Sequence, residues 1–159
     1  MLGFGLALAV ALSAPAERIA GEELSWGRVQ RSWSIDLHGD ARFSEREGSD
    51  FHNYYLVTRR ADVGREGYNV IARLVTPLRD MVGIDPKCAP GATDGPYGQV
   101  TWIEGSAPVR FGFNSNCVSK QTDAGFFWNE QAREQVRRWT ERGEVVERKW
   151  MGAPGQEPK

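Results

Sequence analysis

Two histidines and three aspartates are the residues of this chain whose types and spacing come nearest to a metal site. His38 and His52 lie near the predicted ends of neighbouring strands, and the nearby carboxylates are Asp36, Asp40 and Asp50. Zinc and copper need three or four such ligands converging on one point. Predicted turns, however, are where His and Asp side chains ordinarily serve local hydrogen bonding. We therefore predict no metal site and no cofactor.

Asp94 is the candidate for acid–base chemistry, because it lies in a segment rich in proline and glycine, with Asp85 and Glu104 as possible neighbours. A buried carboxylate can acquire a raised pKa and act as a general acid. The alternative, which we favour, is that Asp94 caps a turn with its own carboxylate ahead of Gly95 and Pro96. The sequence contains no nucleophile elbow, phosphate-binding glycine loop or metalloprotease helix, and it favours a non-enzymatic protein without deciding the question.

The chain has six tryptophans in 159 residues, and not all of them fall on predicted core positions. Those that do are Trp33, Trp128 and Trp139. Trp26 and Trp150 lie outside strongly periodic segments, so we predict that they anchor a contact surface. The predicted binding residues are Trp26, Trp150 and Asp94, and the expected partner is a protein or a glycan of the cell envelope.

The N-terminal residues resemble a secretory signal peptide. Residues 4–12 are almost wholly apolar, no charge appears before Glu17, and small residues precede two predicted cleavage points, after Ser13 or after Ala16. The run is too short to cross a bilayer. Met1, Leu2 and Gly3 lack the usual basic charge, and the alternative is an apolar element of the domain itself. We expect a signal peptide over 1–16, one domain over 17–148 and a disordered tail over 149–159.

Cysteine content and charge agree with export. The chain has two cysteines, Cys88 and Cys117, an even number that in an oxidising compartment predicts a disulfide; two free thiols are the alternative. The 20 Lys and Arg residues nearly balance the 21 Asp and Glu residues, so no overall positive field attracts nucleic acid. We predict a periplasmic or secreted protein that does not span a membrane and does not bind nucleic acid.

Periodicity predicts an α+β fold. Ser32 to Leu37 alternates between apolar and polar residues and pairs with a strand around Phe43. A strand at residues 51–60 and a second hairpin at residues 99–113 follow the same logic. Steps of three and four predict helices over 68–81, with Pro77 kinking or restarting the first, and around 128–139. We expect a small antiparallel sheet of about five strands in two hairpin units, with two helices packed on one face.

This layout resembles a family of exported bacterial domains of unknown function. The matching segments are the strand–glycine–strand opening at 35–43, the helix at 68–81, and Thr93, Asp94, Gly95 and Pro96 before the Val100 strand. That family typically opens its first strand after a Cys-Pro pair, where this chain has Gln30, Arg31 and Ser32. The resemblance implies an envelope location and a small α+β fold, and it implies no catalytic residue.

Three functions are compatible with these patterns. The first is a non-enzymatic binding or accessory module of the envelope that contacts its partner through a sheet face or the long loop. The second is a secreted inhibitor of a hydrolase, such as a lysozyme or a protease, that presents the loop over 85–98 to the target's cleft, since a pre-ordered loop loses less entropy on binding. The third is a small hydrolase centred on Asp94.

Overall fold

An antiparallel sheet of seven strands forms one layer of the protein. The computed structural model describes residues 15–157. The sheet strands are β1 Arg18–Ser25, β2 Arg28–Asp36, β3 Asp40–Glu47, β4 Tyr55–Asp62, β6 Tyr97–Glu104, β7 Ala107–Asn114 and β9 Glu144–Trp150. Their order across the sheet is β7-β6-β1-β2-β3-β4-β9. The strands β5 (Ala89–Pro90) and β8 (Cys117–Val118) form a separate two-stranded ladder.

Two helices, α1 (Gly64–Arg79) and α2 (Lys120–Thr140), cover one face of this sheet. Apolar residues at alternate strand positions project to that face, and they form a single core with the inward residues of both helices. The largest core members include Trp33, Ile35, Phe43, Val100 and Trp102 from the strands and Tyr68, Ile71, Leu78 and Val136 from the helices. The opposite face of the sheet has no helix packed on it in the described part of the chain.

The two helices begin differently, because Val63 before α1 makes no side-chain capping hydrogen bond whereas Ser119 before α2 does. In α2 the Ser119 side chain accepts a hydrogen bond from the Thr122 amide at 3.1 Å, which satisfies one of the free amides at the helix start. The helix α1 runs through Pro77 without interruption, although we expected a kink or a restart there. The residue before it, Thr76, donates its hydroxyl to the Ala72 carbonyl at 2.8 Å, four residues back in the same helix.

The α+β class is confirmed, but the sheet has more strands than the five that we predicted. The strands β1 and β9 were missed. In β1, Gly21 stands at an inward position and Glu22 and Glu23 follow it, so the apolar alternation is weak. The strand β9 is an edge strand whose residues are almost all exposed, and such a strand needs no apolar face.

Residues 149–151 differ from the disordered tail predicted over 149–159, of which residues 158–159 lie outside the described part of the chain. Lys149 and Trp150 belong to β9, which pairs with β4. The chain remains attached beyond β9, because the Met151 amide donates to the Tyr54 carbonyl at 2.9 Å and Arg28 donates to the Met151 carbonyl at 2.8 Å. Backbone pairing with an otherwise open strand edge orders this charged segment despite its polar composition.

The predicted signal segment lies mostly outside the described residues, which begin at 15. Ala16, the last residue of that segment, is 4% exposed, and its carbonyl accepts a hydrogen bond from the Tyr68 hydroxyl at 2.6 Å. Ala16 is thus part of the packed domain. Within residues 15–157, neither helix has the length and apolar character needed to span a membrane.

The predicted disulfide is present. Cys88 and Cys117 are bonded, with 4.8 Å between their Cα atoms. Cys117 starts β8, and Ser119 two residues later caps α2. The bond therefore ties the long loop that follows α1 to the start of the second helix.

Candidate functional site

The sheet face that points away from the helices is open and polar. Side chains alternate along each strand, so residues between the core positions project from this face. In the central strands these residues are mostly short and carry hydroxyl groups: Ser32 and Ser34 in β2, Ser44 in β3, Thr58 in β4 and Thr101 in β6. They line a depression of about 370 Å³. We call this depression the trough.

Longer side chains form the walls of the trough. Gln99 of β6 and Glu22 of β1 stand next to each other, and the Gln99 amide donates to the Glu22 carboxylate at 2.6 Å. Arg42 of β3 and Glu147 of β9 line the same depression from its other side. The trough therefore results from side-chain length, with short residues at its centre and long ones around it.

The hydroxyl groups of the trough divide into two sets. The Ser44 and Thr58 oxygens lie 2.8 Å apart and hydrogen-bond to each other. The hydroxyls of Ser32, Ser34 and Thr101 make no hydrogen bond to any protein group among residues 15–157. These three residues are half-buried, so their hydroxyls remain open to solvent or to a ligand, and each can both donate and accept.

The charges beside the trough are of both signs. Asp40 receives hydrogen bonds from Arg42 at 3.1 Å and from Arg60 at 2.9 Å. Partial burial by itself raises the pKa of the Asp40 carboxyl, but the hydrogen bonds and positive charges of the two arginines outweigh it and lower that pKa below its ordinary value. Asp40 is therefore ionised, and it offsets part of the positive charge at this side.

Trp26 lies at one end of the sheet, in the two-residue turn between β1 and β2. Its φ is 51° and that of Gly27 is 74°, and positive φ at both central residues is typical of a type I′ hairpin turn. Asparagine is preferred at the first of these positions, and a bulky residue there costs about 1–2 kcal/mol. Trp26 is nevertheless 68% exposed, and it is the only non-glycine residue within 15–157 with positive φ.

Trp26 and Asp94 line the same groove, which encloses about 330 Å³. The other walls come from Thr93, Gly95, Tyr97, Asn114 and Asn116. The Tyr97 hydroxyl accepts a hydrogen bond from the Gly27 amide at 3.0 Å, which holds the hairpin turn against the start of β6. The Asp94 carboxylate accepts no hydrogen bond from any protein group in the described part of the chain. We call this site the Trp26 groove.

The Trp26 groove and the trough adjoin. Tyr97 lines the groove, and Gln99, two residues further along β6 on the same face, lines the trough. Two residues along a strand correspond to about 7 Å. A ligand that lies on the open face can therefore contact both.

Trp150, the third predicted binding residue, does not line the groove. It is half-buried at the end of β9, three strands away from β2 in the sheet. Its ring centre lies 5.0 Å from that of Tyr55, and its indole N–H donates to the Ala153 carbonyl at 3.1 Å. These contacts give Trp150 a packing role at the sheet edge.

The carboxylates considered for acid–base chemistry are spread out. Asp94 precedes β6, while Glu104 ends that strand, and eight strand residues span about 25 Å. Glu104 forms an ion pair with Arg79. This hydrogen bond outweighs partial burial and lowers the pKa of Glu104, which is the opposite of what a general acid needs. Asp85 is exposed in the loop before the disulfide.

The histidines and aspartates considered for metal binding serve turns. One Asp36 oxygen accepts from the backbone amides of His38 and Asp40, both at 2.9 Å. Asp50 likewise accepts from the His52 amide at 2.8 Å. Among residues 15–157, no three or more His, Cys, Asp or Glu side chains are grouped so as to hold a metal ion.

The disulfide, the β5–β8 ladder and further backbone hydrogen bonds of Gly91 and Pro96 attach the loop over 85–98 to the body of the protein. The disulfide holds Cys88, and the β5–β8 ladder pairs Ala89 and Pro90 with residues 117–118. Residues 83–90 are exposed throughout. The end of the loop, at Thr93 to Gly95, forms a wall of the Trp26 groove.

The trough was not predicted, although its signal is present in the sequence. Ser32 and Ser34 alternate with the core residues Trp33 and Ile35, which places them on the outer face. Recognising a shared depression also requires the register that puts Ser32 opposite Ser44 and Ser44 opposite Thr58. That register is a property of strand pairing.

No protein-family model matches this sequence, and comparison with curated proteins returns no significant match. The likeness in layout to exported bacterial domains therefore stays a prediction.

Proposed function

We propose that this chain is an exported, non-enzymatic binding module whose ligand lies in the Trp26 groove and the trough. The observation that supports this function best is the state of Trp26. Its large apolar ring is exposed, and its backbone has a conformation that disfavours bulky residues. The backbone conformation lowers the stability of the fold and the exposed ring adds little to it, so a role in contacting a partner explains both features better than packing does.

Binding is favoured over catalysis because of the surroundings of Asp94. This carboxylate is exposed on the groove wall, and Glu104 is engaged with Arg79 at the far end of β6. An exposed carboxylate with no second acidic group beside it has neither the burial nor the neighbouring charge that prepare a general acid. It remains a good hydrogen-bond acceptor for a bound ligand.

Trp26→Asn tests the proposal, because it separates a binding role from a structural one. Asn-Gly is the preferred pair for a type I′ turn, so this variant should raise the free energy of unfolding by about 1 kcal/mol. A bacterial envelope extract is separated into protein and polysaccharide fractions, and each is passed over the immobilised chain. The wild-type chain should retain a component of one fraction that immobilised Trp26→Asn does not retain. Urea denaturation and retention on the immobilised chain are the two measurements.

Phe127→Gln is the matched control. Phe127 is also an exposed aromatic residue, 54% accessible, but it lies on α2 and so belongs to the helical layer. This variant should retain the same component as the wild type. The proposal fails if no component distinguishes Trp26→Asn from Phe127→Gln, or if Trp26→Asn is less stable than the wild type.

A hydrolase inhibitor is the second candidate, because the loop over 85–98 is constrained by the disulfide and the β5–β8 ladder and is exposed over residues 85–90. Ordering a loop before binding reduces the entropy lost in the complex. Inhibition of a lysozyme or protease panel should then disappear on reduction of Cys88–Cys117 and be unaffected by Trp26→Asn. If the ligand binds in the Trp26 groove instead, binding should be lost in Trp26→Asn.

Export to the periplasm or the medium is part of the proposal, and it makes a prediction about processing. Cleavage after Ala16 removes a residue that is buried and accepts the Tyr68 hydrogen bond, whereas cleavage after Ser13 leaves it in place. We expect N-terminal sequencing of the secreted protein to begin at Ala14. Recovery of a chain that begins at Glu17 would contradict this prediction.

A further inference from the structure

We infer that the ligand of this surface is a neutral, linear oligosaccharide that stacks one sugar ring on Trp26 and extends into the trough toward Ser34. The inference rests on the proposed binding function and adds the chemical class of the ligand. It follows from the residues of the groove, the hydroxyls of the trough, the charges around it and the length of the whole surface.

The Trp26 groove combines an aromatic ring with hydrogen-bonding groups. A pyranose ring has an apolar C–H face that packs on an exposed indole and a rim of hydroxyls that needs donors and acceptors. In the groove, Trp26 supplies the indole, the Asp94 carboxylate accepts, and the Asn114 side chain stands on the neighbouring strand. This is the composition that a sugar subsite requires.

The trough offers the same chemistry without the ring. Ser32, Ser34 and Thr101 have hydroxyls that no protein group in residues 15–157 engages. A hydroxyl donates and accepts at once, so it pairs with a sugar hydroxyl in either orientation. The short side chains also leave space above the sheet for the ligand.

The charge pattern favours a ligand without net charge. Arg42 and Arg60 are paired with Asp40, and Glu22 and Glu147 stand elsewhere on the walls. Charges of both signs close together create no single field that attracts an anionic or cationic chain. The protein as a whole has a formal net charge of −1.

A peptide fits this surface less well. Peptides that bind sheets usually add a strand at an edge, where backbone groups are free. The trough lies on the face of strands that are paired on both sides, since β1, β2 and β3 are interior in the sheet. Its centre is lined by small hydroxyl residues and lacks the apolar pockets that anchor peptide side chains.

The surface is long enough for several sugar units. Arg28 at the start of β2 and Ser34 are six residues apart, which corresponds to about 20 Å. The Trp26 turn lies beyond Arg28. Affinity should therefore rise with chain length, because longer ligands add hydrogen bonds in the trough to the contact with Trp26.

Calorimetric titration of the disulfide-bonded protein tests the inference. The probes are β-1,4-linked glucose and N-acetylglucosamine oligomers, from the disaccharide to the hexasaccharide, with oligogalacturonate of matching length as the charged comparison. In at least one neutral series the hexasaccharide should bind at least about tenfold more tightly than the disaccharide. One or two added hydrogen bonds account for a gain in affinity of that size. The charged oligomer should bind more weakly than that neutral hexamer.

Ser34→Gln and Ser106→Gln form a matched pair of variants. Gln at position 34 fills the trough and should remove the gain in affinity with length. Ser106 lies exposed in the turn between β6 and β7, so Ser106→Gln should keep the wild-type dependence on length. Trp26→Asn should weaken the hexasaccharide about tenfold or more.

The inference is overturned if affinity does not depend on length, if the charged oligomer binds more tightly, or if Ser34→Gln retains the length dependence. It is also overturned if no saccharide binds while the immobilised wild-type chain retains a protein that Trp26→Asn releases. That last result leaves the binding module intact and shows that its ligand is a protein. Absence of any Trp26-dependent ligand defeats the proposed function itself.

Discussion

The Trp33 side chain lies between Gly21 on β1 and Asn129 on α2. Its indole N–H donates to the Asn129 side-chain oxygen at 2.9 Å, and Trp33 and Asn129 are 2% and 3% exposed. A Cβ at position 21 would overlap both the indole and the Asn129 oxygen. Gly21 therefore weakens β1 as a strand but permits close packing of the sheet against the helix.

Asn129→Leu should lower the free energy of unfolding by about 1–3 kcal/mol, because it leaves the buried indole N–H without an acceptor. Trp33→Phe removes that donor. In the double variant the two losses should therefore be less than additive. Urea denaturation of the four proteins measures the coupling. Strict additivity would contradict a stabilising role for this hydrogen bond.

At the level of elements, the exposed side of α2 is held by an ion-pair cluster. Arg137 donates twice to Glu134, both times at 2.8 Å, and Arg138 donates at 3.2 Å. The hydrogen bonds from Arg137 are the main cause that lowers the pKa of Glu134 from 4.5 to about 2. In the unfolded chain the Glu134 carboxylate has its ordinary pKa of 4.5, whereas in the folded chain it stays ionised to about pH 2. Its ion pairs with the two arginines therefore stabilise the folded state fully above pH 4.5.

Glu134→Gln should therefore destabilise the protein at neutral pH, and most of this effect should be lost by about pH 2. The stabilisation is present above the ordinary pKa of 4.5 and declines as the pH falls toward about 2. Because the pair is partly exposed, the loss should be only a few tenths of a kcal/mol to about 1 kcal/mol. Unfolding curves at several pH values measure it. Glu141→Gln is the control, since Glu141 lies 3.7 Å from Arg137 and is more exposed.

The disulfide acts on the loop between α1 and β6. It joins residues 29 positions apart. Closing a loop of that length lowers the entropy of the unfolded chain and so stabilises the fold by about 3–4 kcal/mol. Reduction should lower the free energy of unfolding by that amount, as measured by urea denaturation with and without dithiothreitol. The helices should stay folded in the absence of urea, because the main core contains neither cysteine. Loss of the helical circular dichroism on reduction alone would contradict this.

At the scale of the whole molecule, β9 covers one edge of the sheet and protects β4 from pairing with other molecules. It pairs with β4 from Tyr55 to Arg60. Removal of residues 144–159 would leave the backbone groups of β4 that face β9 unpaired, and an open edge of this kind invites pairing between molecules. The truncated protein should form dimers or larger species on size-exclusion chromatography with light scattering. A stable monomer would show that β9 does not protect this edge.

The parts of the fold that the sequence predicted are those with strong local periodicity. The strand around Trp33 and Ile35, its partner around Phe43 and both helices were found where alternation or helical spacing is clear. In contrast, β1 inserts between the two predicted hairpin units and pairs with β6 across about eighty residues. No local pattern reports such a pairing, because its stability comes from contacts that form only in the folded chain.

The amino-acid sequence by itself determined the α+β class, the disulfide and the presence of tryptophans outside the core. These properties depend on residue type and local spacing. Only the tertiary structure decided that Trp26 and Asp94 share a groove, that Trp150 is packed elsewhere, and that the serines of separate strands form one trough. The physical reason is that side chains on different strands become neighbours through strand order and register, and long-range backbone pairing sets both.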